Sequence, residues 1–146
     1  MDNLIKIKEL IYNRKYRDAI NSLRKFINNN KGSLEAIYLL GLCYEKNNMF
    51  SDSIKEYERL LEFDQNILAY NRLGEVCIKA GKYILAKKYL KKSLSINNNN
   101  SVTLNNLGVS EAYLEREFES IDYFIKAINL KPNYIDPIYN LLEIYE

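Results

Sequence analysis

The 146-residue sequence contains no histidine and no tryptophan, and only two cysteines, two prolines and five glycines. Without histidine it lacks the commonest general base and the commonest metal ligand. Cys43 and Cys77 are far apart and form no C-x-x-C pair, so neither a zinc site nor a disulfide framework is indicated. No G-x-G-x-x-G, Walker-type or G-x-S-x-G motif is present, and so few glycines leave no phosphate-cradling loop. These absences tell against an enzyme and against any metal or cofactor. No apolar run approaches the ~18 residues that a membrane helix needs. The opening MDNLIKIKEL interleaves charges with apolar residues instead of building a signal-peptide core. The expectation is a cytoplasmic chain with no membrane partner. A net charge of +2 makes no demand for nucleic acid.

What is present is a globular composition, 47% hydrophobic and 27% charged, in a chain the length of one ordinary domain. It is also self-similar. Gly41, Gly74 and Gly108 each belong to a Leu-Gly pair and lie 33 and 34 residues apart, with Ile7 and Leu142 one period outside them. A second column is small (Ala19, Ser53, Ala86, Ser120), and a third, four residues on, is large and apolar (Leu23, Tyr57, Leu90, Phe124). Within a copy the apolar spacing is helical: Ile37, Leu40, Gly41 and Tyr44 fall at i, i+3, i+4 and i+7. Short breaks at Asn47-Asn48 and Gly81-Lys82 divide each copy into two helices. Small residues recur because antiparallel helices approach closely only where one of them carries no bulk.

This pattern of large-x-x-Leu-Gly-x-x-Tyr, then Ala/Ser, then an aromatic, then Pro, resembles the tetratricopeptide repeat. It is carried by IYLLGLCYEKNNMFSDSIKEYERLLEFD, by LGEVCIKAGKYILAKKYLKKSLSI and by FIKAINLKPN with Pro132. The resemblance implies an all-α, right-handed superhelical solenoid of antiparallel helical hairpins. The expected organisation is a single domain, 1–146, with repeats at about 1–33, 34–66, 67–100 and 101–134 and a terminal helix at 135–146. The asparagine run 97–100 then falls between repeats, in the phase of residues 64–66 and 131–133. It reads as a turn, with Ser101 as the cap of the next helix. Two places depart from the family. Lys6-Ile7 replaces Leu-Gly in the first copy, as a polar terminal cap would. Glu111 occupies the column of Tyr44 and Cys77, where a local shift of register is favoured over a carboxylate at the seam between helices.

The resemblance also implies a function: a non-catalytic scaffold that holds a peptide or helical segment of a partner protein in a concave groove lined by first helices. The residues on that face are Tyr38, Leu42, Asn71, Arg72, Glu75, Asn105, Asn106, Val109, Tyr139 and Asn140. Side-chain amides repeated along a groove suit peptide backbone, since each offers a donor and an acceptor. One branch of the family clamps acidic chaperone tails with Lys, Asn, Asn, Lys and Arg. The corresponding places here hold Tyr38, Leu42, Arg72, Val102 and Asn106, which do not match. Two other readings stand beside this one. Residues 135–146, with Ile138, Leu141, Ile144 and Tyr145, offer a face for homo-oligomerisation. Residues 79–93 carry six lysines and no acid, a basic surface for nucleic acid or an acidic partner, although Lys87, Lys88, Lys91 and Lys92 are expected on a solvated convex face. The two cysteines and most of the thirteen tyrosines, including Tyr16, Tyr83 and Tyr145, are expected in the core.

Overall fold

Helical spacing along the sequence becomes helix in three dimensions. The computed structural model describes residues 3–146, and among them are nine α-helices and no strand. The helices are α1 (Leu4–Tyr12), α2 (Tyr16–Asn29), α3 (Leu34–Lys46), α4 (Phe50–Phe63), α5 (Ile67–Lys79), α6 (Tyr83–Ile96), α7 (Ser101–Tyr113), α8 (Glu117–Leu130) and α9 (Asp136–Tyr145). They fall into two compact units, Met1–Gln65 and Asn66–Glu146. In the first, α1 packs on α2, α2 on α3 and α3 on α4. In the second, α5 to α9 pack in the same serial way, and α7 also touches both α5 and α9. The class is an all-α repeat solenoid.

Each type of chain reversal has its own chemistry. The first helices of the four hairpins begin at side-chain caps: Asn3, Ser33, Asn66 and Asn100 each accept a hydrogen bond from a backbone N–H of the first turn, whereas α9 has none. Asn100 Oδ1 takes two, from the N–H of Val102 and of Thr103, both at 3.1 Å. The cap of α7 is therefore Asn100 and not Ser101, which is already the first helical residue. Second helices have no side-chain cap. The hairpin turn before each contains one left-handed residue: Arg14 (φ 58°), Asn48 (59°), Gly81 (72°) and Glu115 (58°). The next amide then bonds back to a carbonyl five residues earlier, as in Lys82 to Cys77 (2.8 Å) and Arg116 to Glu111 (2.9 Å). This is the Schellman closure, which satisfies the last carbonyls of the preceding helix.

The columns meet as their sizes require. A Cβ at Gly41 would lie 2.7 Å from the ring of Tyr57, one at Gly108 would lie 2.5 Å from the ring of Phe124, and one at Gly74 would run into Leu90. Where the small column is serine, its buried hydroxyl donates across the hairpin to the glycine carbonyl. Ser53 reaches Gly41 at 2.8 Å and Ser120 reaches Gly108 at 2.9 Å. Leu23, Ile37 and Tyr57 are fully buried in the first unit, and Leu73, Leu90, Leu107 and Phe124 in the second. Cys43 and Cys77 are both buried and not joined in a disulfide, and burial pushes the Cys43 thiol up to about 11. Tyr145 is not core, being 69% exposed, and Tyr16 and Tyr83 are only half-buried.

Candidate partner-binding face

In the second unit the repeat phase sets α5, α7 and α9 side by side, so equivalent positions on these first helices face one another. Two of the asparagines expected to meet a ligand turn instead toward their neighbours. Asn71 Oδ1 accepts from Ser93 Oγ (2.5 Å) and from Thr103 Oγ1 (2.9 Å), tying α5 to α6 and α7. Asn105 is buried, and its Oδ1 accepts from Asn140 Nδ2 at 2.9 Å, tying α7 to α9. Asn105 also bonds Tyr134, whose phenol is pushed up to about 12 by burial and by the carboxylate of Asp136. The polar partners Ser93, Thr103 and Tyr134 escape the sequence reading, although buried hydroxyls at Ser93 and Thr103 require hydrogen-bond partners of some kind.

The remaining expected residues stay open to solvent to differing degrees. Arg72 and Glu75 pair with each other along α5 at 3.1 Å, their side chains 32% and 29% exposed. Asn106 and Val109 are half-buried on α7, and Tyr139 is 64% exposed on α9. Val109 and Asn140 line a cavity of about 360 Å³ together with Ala112, Tyr113, Glu143 and Ile144. In the first unit, Tyr38 and Leu42 are half-buried on α3, and the ring of Tyr38 lies 5.9 Å from that of Tyr57. Among the described residues, no group of three or more His, Cys, Asp or Glu is placed to hold a metal ion, and no helix is long and apolar enough to cross a membrane.

Two family models described as tetratricopeptide repeat match consecutive stretches, residues 34–67 and 67–100, each spanning one helical hairpin of the structure. The chain is a tetratricopeptide-repeat protein. It is 34% identical over 93 residues to the uncharacterized protein ycf37 of Cyanophora paradoxa, a match covering 60% of this chain and 54% of that one. The matching part thus spans about half the length of that relative. Among solved structures it is similar to MamA 41-end from Desulfovibrio magneticus RS-1 (TM-score 0.88, 19% identity, 94% of this chain and 78% of that one). It is also similar to the first tetratricopeptide repeat domain of Spaghetti bound to an HSP90 peptide (TM-score 0.73, 16% identity, 77% of this chain and 90% of that one). At these identities both are likenesses of fold.

Within this tetratricopeptide-repeat protein the fourth hairpin keeps its register. Gly108 still faces Phe124, and Ser120 still bonds the Gly108 carbonyl. The expected shift is absent, and Glu111 does place a carboxylate at the seam. It is 2% exposed and paired with Lys87 Nζ at 2.6 Å, with Arg116 at 3.9 Å. A buried carboxylate is tolerable only when paired, and α6 supplies the cation. Lys87 is therefore no part of a solvated convex face: its side chain is 17% exposed and committed to Glu111. Lys88, Lys91 and Lys92 are exposed as expected.

Proposed function

We propose that this tetratricopeptide-repeat protein is a non-catalytic interaction scaffold, capturing a peptide or helical segment of a partner on the first-helix face of its second unit. The observation that carries the reading is the division of labour among polar side chains on α5, α7 and α9. Asn71, Asn105 and the amide of Asn140 lock the helices together, and Arg72, Glu75, Asn106, Val109 and Tyr139 are left on the same face, Asn140 also lining the 360 Å³ cavity. Locking of this kind lowers the ordering cost of binding. Tyr38 and Leu42 offer the corresponding positions on the first unit. The first domain of Spaghetti holds an HSP90 peptide on the same type of fold, which supports peptide capture. The mismatch at the clamp positions argues for a ligand other than an acidic chaperone tail.

The test is a photo-crosslinking amino acid placed at Tyr139 or, on the far side, at Ser95. Exposed to extract, the Tyr139 site should yield a defined protein adduct that the combined change Arg72→Glu and Asn106→Ala diminishes. Each deleted hydrogen bond is worth ~0.5–1.5 kcal/mol. Equal labelling from both positions would sink the proposal. Asn71 and Asn105 are unsuitable for this test, since altering them disturbs the packing itself. A second reading, self-association through α9, rests on the exposure of Tyr139 (64%), Leu142 (55%) and Tyr145 (69%). A molecular mass that rises with concentration in sedimentation would support it.

A further inference from the structure

The second residue of each second helix recurs with the repeat: Arg17, Ser51, Ile84 and Phe118. The position faces water, and arginine and serine suit it. Ile84 and Phe118, in adjacent hairpins of the second unit, do not, yet they are 76% and 87% exposed. Beside them Tyr83 and Tyr113 stack with ring centroids 4.4 Å apart and planes 2° from parallel. Tyr113 is held there at 62% exposure. Lys82, Tyr83, Ile84, Leu85, Lys88 and Leu114 line a groove of about 430 Å³ at this edge. Large exposed apolar side chains gathered in one place mark an interaction surface more often than an accident of composition.

The charge around the groove is one-sided. Residues 79–93 carry six lysines and no acid; Lys87 is taken by Glu111, but Lys82 and Lys88 line the groove and are exposed. In the next hairpin, Glu115, Glu117 and Glu119 flank Phe118 along the chain, in the turn before α8 and in its first turn. These features lie at the hairpin turns, on α6 and at the start of α8, whereas Arg72 and Asn106 lie within the first helices α5 and α7.

We propose that this edge is a second docking site, sharing only Tyr113 with the first-helix face, for a short acidic segment of a partner protein that carries large apolar side chains. An apolar side chain would enter the groove against Ile84 and the tyrosine stack, while carboxylates meet Lys82 and Lys88. Aromatic contact supplies the affinity and the cationic rim the orientation. Nucleic acid and anionic membrane present negative charge along their whole surface, and the three glutamates flanking Phe118 repel it. A peptide can confine its carboxylates to the lysine side.

The experiment selects peptides from a displayed library of mixed acidic, basic and apolar sequences on the whole chain, then measures the selected peptides by fluorescence anisotropy. Enrichment of sequences with Asp or Glu beside Leu, Phe or Ile is expected. Affinity should fall roughly tenfold or more in the combined variant Ile84→Ser and Phe118→Ser, and likewise in Lys82→Glu with Lys88→Glu, each with unchanged circular dichroism. The combined variant Arg72→Glu and Asn106→Ala should bind these peptides normally, which keeps the two sites separable. The proposal is overturned if no acidic-apolar sequences are enriched, if those peptides bind the edge variants unchanged, or if only the first-helix variant loses them. It is equally overturned if phosphatidylserine vesicles or a single-stranded oligonucleotide bind the edge more tightly than the peptides. Self-association that disappears in the Ile84→Ser and Phe118→Ser variant would make a second copy of this chain the occupant instead.

Discussion

Leu90 leaves no room at Gly74 for even one methyl group, and Leu90 is itself fully buried with no water to move into. Gly74→Ala should therefore destabilise by ~1–3 kcal/mol, the usual cost of overpacking. Gly32, with nothing within 4 Å of an added Cβ, is the control, and Gly32→Ala should leave stability nearly unchanged. Urea denaturation of both variants decides the matter: equal midpoints would refute the role assigned to the glycine column. Glu111 shows the same column logic with the opposite chemistry. A carboxylate stands where Tyr44 and Cys77 stand in earlier copies, and the fold accommodates it by turning Lys87 inward to meet it. A residue that breaks the pattern has been answered by one repositioned side chain, and the hairpin itself has not moved.

At the scale of the element, the two kinds of reversal divide the labour between side chain and backbone. Turns between hairpins rely on an asparagine or serine cap, and Asn100 provides the cap of α7 with two hydrogen bonds. Asn100→Ala should cost ~0.5–2 kcal/mol, and Ser101→Ala should stay within ~0.5 kcal/mol. Thermal melts of the two variants test this directly, and a larger loss from Ser101→Ala would return the cap to that residue. Turns within hairpins rely on a left-handed residue, which only the third copy supplies as glycine. Arg14, Asn48 and Glu115 adopt the same φ with side chains attached, because the Schellman bonds and the packed helices on either side hold the turn in place.

Across the molecule, charge alternates from repeat to repeat: +5 over 1–33, −4 over 34–66, +6 over 67–100 and −2 over 101–134. Ion pairs between neighbouring copies follow this alternation. Lys8 meets Glu35 in the first unit and Lys87 meets Glu111 in the second. Both units should also lose stability in alkali. The Cys43 thiol is raised from an ordinary 9.0 to about 11 by burial. The Tyr134 phenol is raised from 10.0 to about 12, by burial first and by Asp136 second. Both groups are neutral when protonated, and the unfolded chain gives up these protons at lower pH than the folded one. The stability they contribute is thus complete below about pH 9 and is lost as pH rises through 11 and 12. Melting temperature should hold level from neutral pH to about 9 and then fall, and Cys43→Ser and Tyr134→Phe should each flatten part of that fall. A melting temperature still level at pH 11 would contradict both assignments.

The helices, their pairing and their phase were legible in the sequence because they rest on local and periodic information. Hydrophobic spacing near 3.6 residues, a glycine column set against a large apolar column, and breaks at fixed intervals recur often enough to outweigh exceptions such as Lys6-Ile7. The run of four asparagines was legible for the same reason, as a turn in phase with the others. Only the tertiary structure decided where individual polar side chains point. Asn71 and Asn105 look like ligand-facing amides in one dimension, and they bond neighbouring helices because Ser93 comes within reach only when its hairpin closes, and Thr103 and Asn140 only when successive repeats stack. The partnership of Lys87 with Glu111, 24 positions along the chain, is likewise a product of α6 meeting α7. Periodicity assigns a residue to a face. Whether that face meets water, a ligand or another helix depends on what folding brings opposite to it, and a hydrogen bond is decided by the last ångström of that approach.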